Sequence, residues 1–411
     1  MTDASPVITG LGIVSAAGIG TEPFWSSLCS CRNGFRPISL FDAAPYSVQH
    51  AGEIPAFDPA SFLGKKGLRD LDRATRILMV ASLLAIEDSG LRASDENRQR
   101  IGVSVGTTFG SLRSFAEFDR TGLQDGPRYV NPSLFPNTVI NSPASRVAIR
   151  FGLKGFNTTL ATGFCAGLDA ASAATDFLRL GRAEAVCACA TEELCEESFR
   201  ILVSQGLLAE DNGASPESVP FLERRRGAVL AEAAASAIIE TADSASARGA
   251  VPYAKLRGQG ASFDPAQDWS FGSHAGLAQA IREALGNASF SPDDIDCVVS
   301  GANSSEGIDR IEAAALRDVF GPRLARIPVT SAKAAAGETY SCSGMLSLAA
   351  AALCLRHSLI PPLPAGNAAE DASGLLLVTG MPLPGDYRTA LVTSADPYGS
   401  NAAIVLERCD A

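Results

Sequence analysis

The chain has 411 residues, of which 46% are hydrophobic and 19% charged, a balance typical of a folded protein rather than a disordered one. This length is enough for two fused subdomains of roughly 150–200 residues each. A net charge of −11 argues against nucleic acid as a partner, because such proteins concentrate Lys and Arg. The chain has no apolar run of ~18 residues and no basic, apolar N-terminus, so we expect a cytoplasmic protein without membrane contact.

The ten cysteines are dilute for a disulfide framework, and several stand in apolar runs such as 186–190 and 350–354. These positions favour small core residues. The close pairs Cys29/Cys31 and Cys187/Cys189 are separated by one residue instead of two, and the chain has three histidines. We therefore expect no metal site and no cofactor.

In chain order, β-like apolar runs alternate with Ala-rich helical stretches, which predicts parallel sheets covered by helices. The first half has a predicted strand over 6–14, helix over 76–89, strand over 101–105, helix over 166–180, strand over 185–190 and an apolar run over 228–240. The second half has a predicted helix over 277–285, strand over 296–300, helix over 310–319, the segment 329–333, helix over 342–355 and strands over 375–379 and 402–406.

Two polar segments predict loops, one over 211–218 and one over 243–250 followed by Pro252. The second loop divides the chain into a predicted N-terminal domain of residues 1–250 and a C-terminal domain of residues 251–411. Each half places a Gly/Ser/Thr-rich turn before an Ala-rich helix, at 161–167 and at 334–344. An old duplication would leave this pattern.

The first of these turns, residues 159–170, resembles the nucleophile turn of β-ketoacyl synthases, whose pattern reads Thr-Ala/Gly-Cys-x-x-Gly. The resemblance runs over nearly the whole chain, through segments 8–15, 220–221, 227–232, 309–313, 330–337 and 399–401. It implies an α/β, thiolase-like fold, in which two pseudo-duplicated βαβαβ halves form a five-layered α/β/α/β/α core.

In that family, a cysteine at the N-terminus of a buried helix takes an acyl chain from an acyl carrier protein. Two histidines assist decarboxylation of the malonyl unit and stabilise the enolate, while a lysine organises the site. Aligned on Thr162 and Gly167, the cysteine position of this chain holds Phe164. A phenyl ring cannot form a thioester.

Both histidine positions have also changed. Register from Asp309 and Glu312 puts Gly301 at the first, and glycine has no side chain to donate. The second follows Lys333 by five residues and holds Glu338. An ionised glutamate only accepts hydrogen bonds and would repel an enolate, whereas a buried, protonated one could still donate. Lys333, Asp309 and Glu312 are retained, and we interpret them as structural charges that hold loops.

Cys165 is the thiol next to the changed position. One residue along a helix turns a side chain by about 100° and advances it about 1.5 Å, which misaligns the sulfur. Using Cys165 would also shorten the spacing to Gly167 to two residues, against three in the family. We expect a small packing residue. An atypical active β-ketoacyl synthase using Cys165 and Glu338 is the alternative.

Three independent losses predict a non-catalytic subunit, similar to the chain-length factor, or ketosynthase β subunit, of type II polyketide synthases. The continuation 166–170 is similar to that of both subunits of those heterodimers. The resemblance implies pairing with a catalytic ketosynthase α subunit around an elongation tunnel that limits product length. Such factors commonly carry glutamine at position 164, so the decarboxylase activity sometimes ascribed to that glutamine is not implied. A stand-alone lipid-binding or scaffold homodimer is a further alternative.

Residues 130–140 match the family stretch that reaches the neighbouring protomer's pocket. Phe135 is the candidate tunnel-shaping side chain, with ordinary interface packing as an equal alternative. Phe164 and Cys165 complete the predicted tunnel and interface set. We expect Phe164 to occupy the vacated acyl pocket, since a void of side-chain size costs on the order of 2–4 kcal/mol.

A basic stretch with Lys65, Lys66 and Arg69 resembles in location the family's carrier-docking helix. A solvated, charged helix face is the alternative interpretation. Carrier proteins are acidic, and the chain has 45 acidic residues against 34 basic ones. We therefore expect an acyl carrier protein to dock mainly on the partner subunit.

Overall fold

Two sets of β-strands, one from each half of the chain, form the centre of the fold. The computed structural model describes residues 5–211, 215–265, 272–364 and 374–409. Within them the strands are β1 (Val7–Ser15), β2 (Gly18–Ile19), β3 (Arg36–Pro37), β4 (His50–Ala51), β5 (Ile101–Gly106), β6 (Asn157–Leu160), β7 (Ala185–Glu192), β8 (Ala233–Glu240), β9 (Ala254–Phe263), β10 (Cys297–Val299), β11 (Pro328–Thr330), β12 (Leu359–Ile360), β13 (Leu376–Leu377), β14 (Leu383–Pro384), β15 (Thr389–Ala395) and β16 (Ser400–Arg408).

The helices cover both sides of these strands. They are α1 (Thr21–Cys29), α2 (Pro59–Leu63), α3 (Arg73–Ser89), α4 (Leu112–Gln124), α5 (Ser142–Phe151), α6 (Ala166–Arg179), α7 (Glu196–Ser204), α8 (Ala242–Ala247), α9 (His274–Ala288), α10 (Glu306–Phe320), α11 (Lys333–Ala336) and α12 (Cys342–His357). Short 3-10 helices are formed by Arg98–Arg100, Pro132–Thr138, Gly163–Cys165, Pro292–Asp294 and Gly321–Arg326.

The two sets of strands have the same topology. The first runs β6-β5-β7-β8-β1 and the second β11-β10-β15-β16-β9, and β13 extends the second set beyond β11. In each set the strand after the central parallel trio is antiparallel to it. The sets join where β1 pairs with β9 through Val7 and Ile8. This shared order confirms the duplicated halves, but the sheets are mixed rather than purely parallel.

Five layers follow from where the helices pack. Helices α3 and α5 cover the outer face of the first set, and α9 and α10 cover that of the second. Helices α6 and α12 lie between the two sets. The residues from Cys342 to Leu355 in α12 are all buried, as expected of a helix that is apolar on every side. The predicted α/β/α/β/α core is confirmed.

Most predicted elements are present with shifted ends. Helix α3 starts three residues before the predicted 76, because the Asp72 carboxylate accepts the Thr75 N–H at 2.7 Å and caps it. The predicted loop over 243–250 contains α8, capped by Thr241. Of the predicted strand over 375–379, only Leu376–Leu377 forms a strand, β13. The predicted domain boundary near 250 falls between α8 and β9, and within the predicted loop over 211–218 residues 212–214 lie outside the described residues.

The two duplicated helices meet at glycines. A Cβ built on Gly167 of α6 would overlap the carbonyl oxygen of Ser341, and one on Gly344 of α12 would press on Leu168. The absence of side chains at these two positions lets the first turns of α6 and α12 touch. This contact fixes where the N-terminus of α6 lies, and the site is built on that N-terminus.

We expect Gly167→Ala to lower stability by about 1–3 kcal/mol, because the added methyl group overpacks a contact with backbone. Gly286→Ala in α9 is the matched control, since a Cβ there meets no atom within 4 Å. That change should be stabilising by up to about 1 kcal/mol. Thermal unfolding of both variants measures the difference, and equal melting temperatures would contradict the close-packed arrangement.

Candidate functional site

The 3-10 turn Gly163–Cys165 presents Phe164 at the start of α6. Gly163 has φ of 71°, a left-handed conformation that glycine adopts without steric cost. The Phe164 side chain is buried, and its ring meets that of Tyr340 edge-on at 5.3 Å. Tyr340 in turn packs edge-on against Phe109 at 5.0 Å. An aromatic cluster therefore occupies the space in front of the helix.

A small cavity lies beside the Phe164 ring. Its volume is only about 10 Å³, room for at most one water molecule. The residues around it are Phe164, Leu202, Leu207, Ala228, Asn303, Ser305, Ile308, Glu338 and Pro397. The ring and the residue at the second histidine position thus face the same space, which has no room for an acyl chain.

Cys165 lies on the other side of the turn, in the central core. Its sulfur lies 3.5 Å from the carbonyl oxygen of Ser394 and 3.3 Å from that of Ser400. Burial raises the pKa of the thiol well above its ordinary value. Because the thiolate is the reactive form, this geometry does not support Cys165 as a nucleophile.

Gly301 lies in a place that a side chain could not enter freely. Its N–H donates to Glu312 Oε1 at 3.0 Å, and a Cβ would press on the carbonyl oxygen of Thr393. Asp309 accepts the N–H groups of Asn303 and Ser304 at 3.0 and 3.1 Å. It also accepts the N–H of residue 221 at 2.7 Å. Burial raises the pKa of Asp309 to about 7 and also raises that of Glu312. These contacts support the interpretation of both acids as holders of the loop.

Lys333 and Glu338 form a buried ion pair. Lys333 Nζ is 2.8 Å from Glu338 Oε2, and the two side chains are 3% and 1% exposed. Asn303 Nδ2 donates to the same oxygen at 2.8 Å, while Oε1 accepts the Tyr340 N–H and the Ser343 hydroxyl, both at 2.9 Å. Every partner of this carboxylate is a donor. Glu338 therefore acts as an acceptor throughout and offers no proton to an enolate.

Several site residues are absent from the sequence-based prediction. Asn303 stands two residues after Gly301, and Asp396 lies in an Asp-Pro-Tyr-Gly turn, a common turn composition. Tyr340 is fully buried with φ of 49°. Glu192 at the end of β7 accepts the Thr107 hydroxyl at 3.1 Å, the Ser341 hydroxyl at 2.6 Å and the Thr108 N–H.

A wider cleft of about 530 Å³ adjoins the small cavity and shares Leu207 and Ser305 with it. Charged side chains at its rim include Glu223, Arg225 and Arg226. In the described parts of the chain, no group of three His, Cys, Asp or Glu residues could hold a metal ion. The described helices are all too short or too polar to cross a membrane.

The predicted docking residues are not on a helix. Lys65, Lys66 and Arg69 lie on exposed turns between α2 and α3. The helix-face interpretation is therefore wrong, because Gly64 ends α2 and α3 begins only after the Asp72 cap. The position of these side chains on the surface is compatible with docking, which stays a prediction.

Phe135 lies in the 3-10 helix Pro132–Thr138 and is 57% exposed. Its ring is 5.9 Å from Phe118 of α4, a helix in which no side chain is buried. Apolar side chains on α4 and the segment after it remain accessible to solvent. We call this the apolar face: Phe115, Phe118, Leu123, Tyr129, Leu134 and Phe135. Such a face on a single chain indicates a protein–protein contact.

The chain matches the family description "Beta-ketoacyl synthase, N-terminal domain" over residues 5–245 and "Beta-ketoacyl synthase, C-terminal domain" over residues 253–366. The chain belongs to the β-ketoacyl synthase family.

Relatives in this family include both subunits of one synthase from Streptomyces glaucescens. The tetracenomycin polyketide synthase ketoacyl synthase beta subunit is 33% identical over 411 residues, 98% of this chain and 98% of that protein. The alpha subunit is 35% identical over 374 residues, 87% of this chain and 86% of that protein. The two subunits are almost equally identical to this chain, so sequence identity does not tell which kind of subunit it is. The residues of the site must distinguish the two.

A solved structure of the ishigamide ketosynthase/chain length factor superposes with a TM-score of 0.91. It is 27% identical and covers 99% of this chain and 100% of that chain. The thiolase-like fold expected from the sequence is confirmed by this match.

We expect Glu338→Ala to lower stability by about 3–5 kcal/mol, because it leaves the Lys333 ammonium buried without its counter-ion. The double variant Lys333→Met/Glu338→Leu should lose less, because it leaves no unpaired charge, while the Asn303, Tyr340 and Ser343 donors lose their acceptor in both variants. Asp386→Ala, which removes the surface ion pairs of this acid with Arg388 and Arg408, is the control and should have little effect. Denaturant unfolding measures all three, and a double variant as unstable as Glu338→Ala would contradict the pairing.

Glu192 gives a pH dependence. Burial raises the pKa of Glu192 from 4.5 to about 7, although the hydrogen bonds from Ser341, Thr108 and Thr107 act to lower it. The folded state disfavours the ionised form, so the stability that the neutral acid contributes below pH 4.5 is lost as pH rises to about 7.

Glu192→Gln keeps an acceptor oxygen but cannot ionise. We expect its melting temperature to fall less between pH 5 and pH 8 than that of the unmodified protein. Glu184→Gln, at a half-exposed position, should leave the difference unchanged. Parallel pH profiles for the Glu192 variant and the unmodified protein would count against a neutral Glu192.

Proposed function

We propose that this chain is the chain-length-factor, or ketosynthase β, subunit of a type II polyketide synthase. It pairs with a catalytic ketosynthase α subunit in the cytoplasm and limits the length of the polyketide made there. One observation carries the proposal. The buried ring of Phe164 occupies the start of α6, where the family's nucleophile stands, and the adjacent thiol of Cys165 faces the core.

The residues around the ring support a silent site. Gly301 has no side chain, and the Glu338 carboxylate is held by four donors. A fixed negative charge would repel a developing enolate instead of stabilising it. The site therefore lacks both a group to carry the acyl chain and a group to assist decarboxylation, so bond formation belongs to the partner.

The apolar face supports pairing. It exposes aromatic side chains on α4 and the Pro132–Thr138 helix, and burying such side chains is the main source of stability at protein interfaces. The match to a named beta subunit and to a ketosynthase/chain length factor structure agrees with this assignment. Phe135, which is exposed on this face, is our candidate for a side chain that shapes the elongation tunnel. An acyl carrier protein docks mainly on the partner, with Lys65, Lys66 and Arg69 as a minor contact.

Coexpression with ketosynthases encoded near this gene tests the pairing. We expect the chain alone to form no acyl adduct with malonyl- or acyl-carrier protein by intact mass, and to copurify with a cysteine-bearing partner in a complex that makes polyketide. An acyl adduct on Cys165 would instead support an active enzyme. A stable homodimer that takes no partner would support a scaffold.

Substitution of Phe135 tests the tunnel. In the coexpressed complex, we expect Phe135→Ala to shift products to longer chains and Phe135→Trp to shorter ones, because the side chain sets the depth available. Mass spectrometry of the products measures the shift in chain length. Val251→Ala, an exposed apolar residue outside the face, is the control. An unchanged product distribution in both Phe135 variants would remove this residue from the tunnel wall.

A further inference from the structure

A carboxylate of the chain itself sits on the turn that precedes α6. Asp396 Oδ2 accepts the N–H of Phe164 at 2.8 Å, and Oδ1 accepts the N–H of Tyr398 at 2.6 Å. Asp396 is only 5% exposed. Both oxygens of a buried acid thus hold backbone donors from two separate segments, 232 residues apart in the first case.

The turn is shaped to admit this carboxylate. A Cβ built on Gly163 would overlap Asp396 Oδ2, so the acid lies directly against the glycine. Two hydroxyls hold the same turn, since Ser394 donates to the Phe164 carbonyl at 3.3 Å and Thr108 donates to the Gly163 carbonyl at 3.1 Å. The missing side chain of Gly163 thus makes room for the Asp396 carboxylate, and the two hydroxyls hold the turn in place against it.

The position is one that favours negative charge. The first N–H groups of a helix have no partner within it, and the helix dipole adds a partial positive charge there. Backbone donors so placed stabilise carboxylates or the oxygen of a reacting acyl group. Pro397, which lines the small cavity next to Asp396, has no N–H and adds no donor.

We propose that the Asp396 carboxylate is a built-in ligand of the Phe164 N–H and closes this donor to the carbonyl oxygen of any thioester. The chain then lacks catalytic activity for two reasons: the nucleophile is missing, and the backbone donor that would bind the thioester oxygen is occupied. The inference deepens the proposed function and rests on it for its biological meaning. It predicts that restoring a cysteine at position 164 does not by itself restore a reactive thiol.

The charged groups around position 164 come from several elements. Glu338 lines the small cavity and is paired with Lys333, and both interact electrostatically with Asp396, while Glu192 on β7 interacts with Tyr340. Asp169 on α6 faces the neighbouring Cys165. Of these, Asp396 alone is bonded to the N–H of residue 164 itself. A thiol at position 164 would belong to the same residue whose N–H donates to the Asp396 carboxylate.

The test compares Phe164→Cys with Phe164→Cys/Asp396→Ala in the full-length chain. Iodoacetamide alkylation of the new thiol is followed by peptide mass spectrometry from pH 6 to pH 10, with buried Cys165 as an internal reference. We expect a raised thiol pKa in the single variant. In the double variant the pKa should fall by about one unit or more, with alkylation at pH 7 about tenfold faster. Equal pH profiles would overturn the proposal.

Two controls separate charge from folding. Phe164→Cys/Asp293→Ala, which removes a highly exposed acid, should behave as the single variant. If the Asp396→Ala chain does not fold, Asp396→Asn keeps the shape and an acceptor oxygen, and the same acceleration is expected.

A second measurement probes the vacated position directly. Formate should raise the melting temperature of Asp396→Ala and not that of the unmodified protein, and no difference between them counts against the proposal. These measurements need no partner and no product. A failed heterodimer and a failed carboxylate ligand are therefore distinct results.

Discussion

The N-terminus of α6 is the constraint on which the rest of the site depends. Its backbone N–H groups are buried between two sheets, where unpaired donors are costly. In this chain the N–H of Phe164, in the turn just before α6, donates to the Asp396 carboxylate, and the side chain at the turn is a phenyl ring that packs against Tyr340. The chain itself supplies both an acceptor for the Phe164 N–H and a side chain that fills the adjacent space. The fold thus keeps the framework of a reactive helix terminus with no reactive group on it.

The neighbouring polar groups are satisfied in the same way. Glu338 is held by a lysine, an amide, a hydroxyl and a backbone N–H, and Asp309 is held by three backbone N–H groups. A network in which both oxygens of these two carboxylates already have donors is rigid. These contacts support the interpretation that Lys333, Asp309 and Glu312 hold loops beside the changed catalytic positions.

Much of this arrangement could be predicted from the residues. The Ala-rich helices α6 and α12, the strands β1, β5 and β7, and the position of Phe164 follow from local patterns and motif register. Asp396 could not be placed, because its contact with Phe164 joins residues far apart in the chain. Nor could α4, a helix without a fully buried residue within the described chain. The sequence predicts a helix for Lys65 and Lys66, but Gly64, which ends α2, leaves them on a turn.

The exposure of α4 has a consequence for the life of the subunit in the cell. A helix with no buried side chain of its own gains little stabilisation until something covers it. Since binding to the folded form shifts the folding equilibrium by mass action, synthesis in excess of its counterpart would leave a less stable, association-prone pool. In the proposed heterodimer, matched production of the two polypeptides then follows from the exposure of one helix.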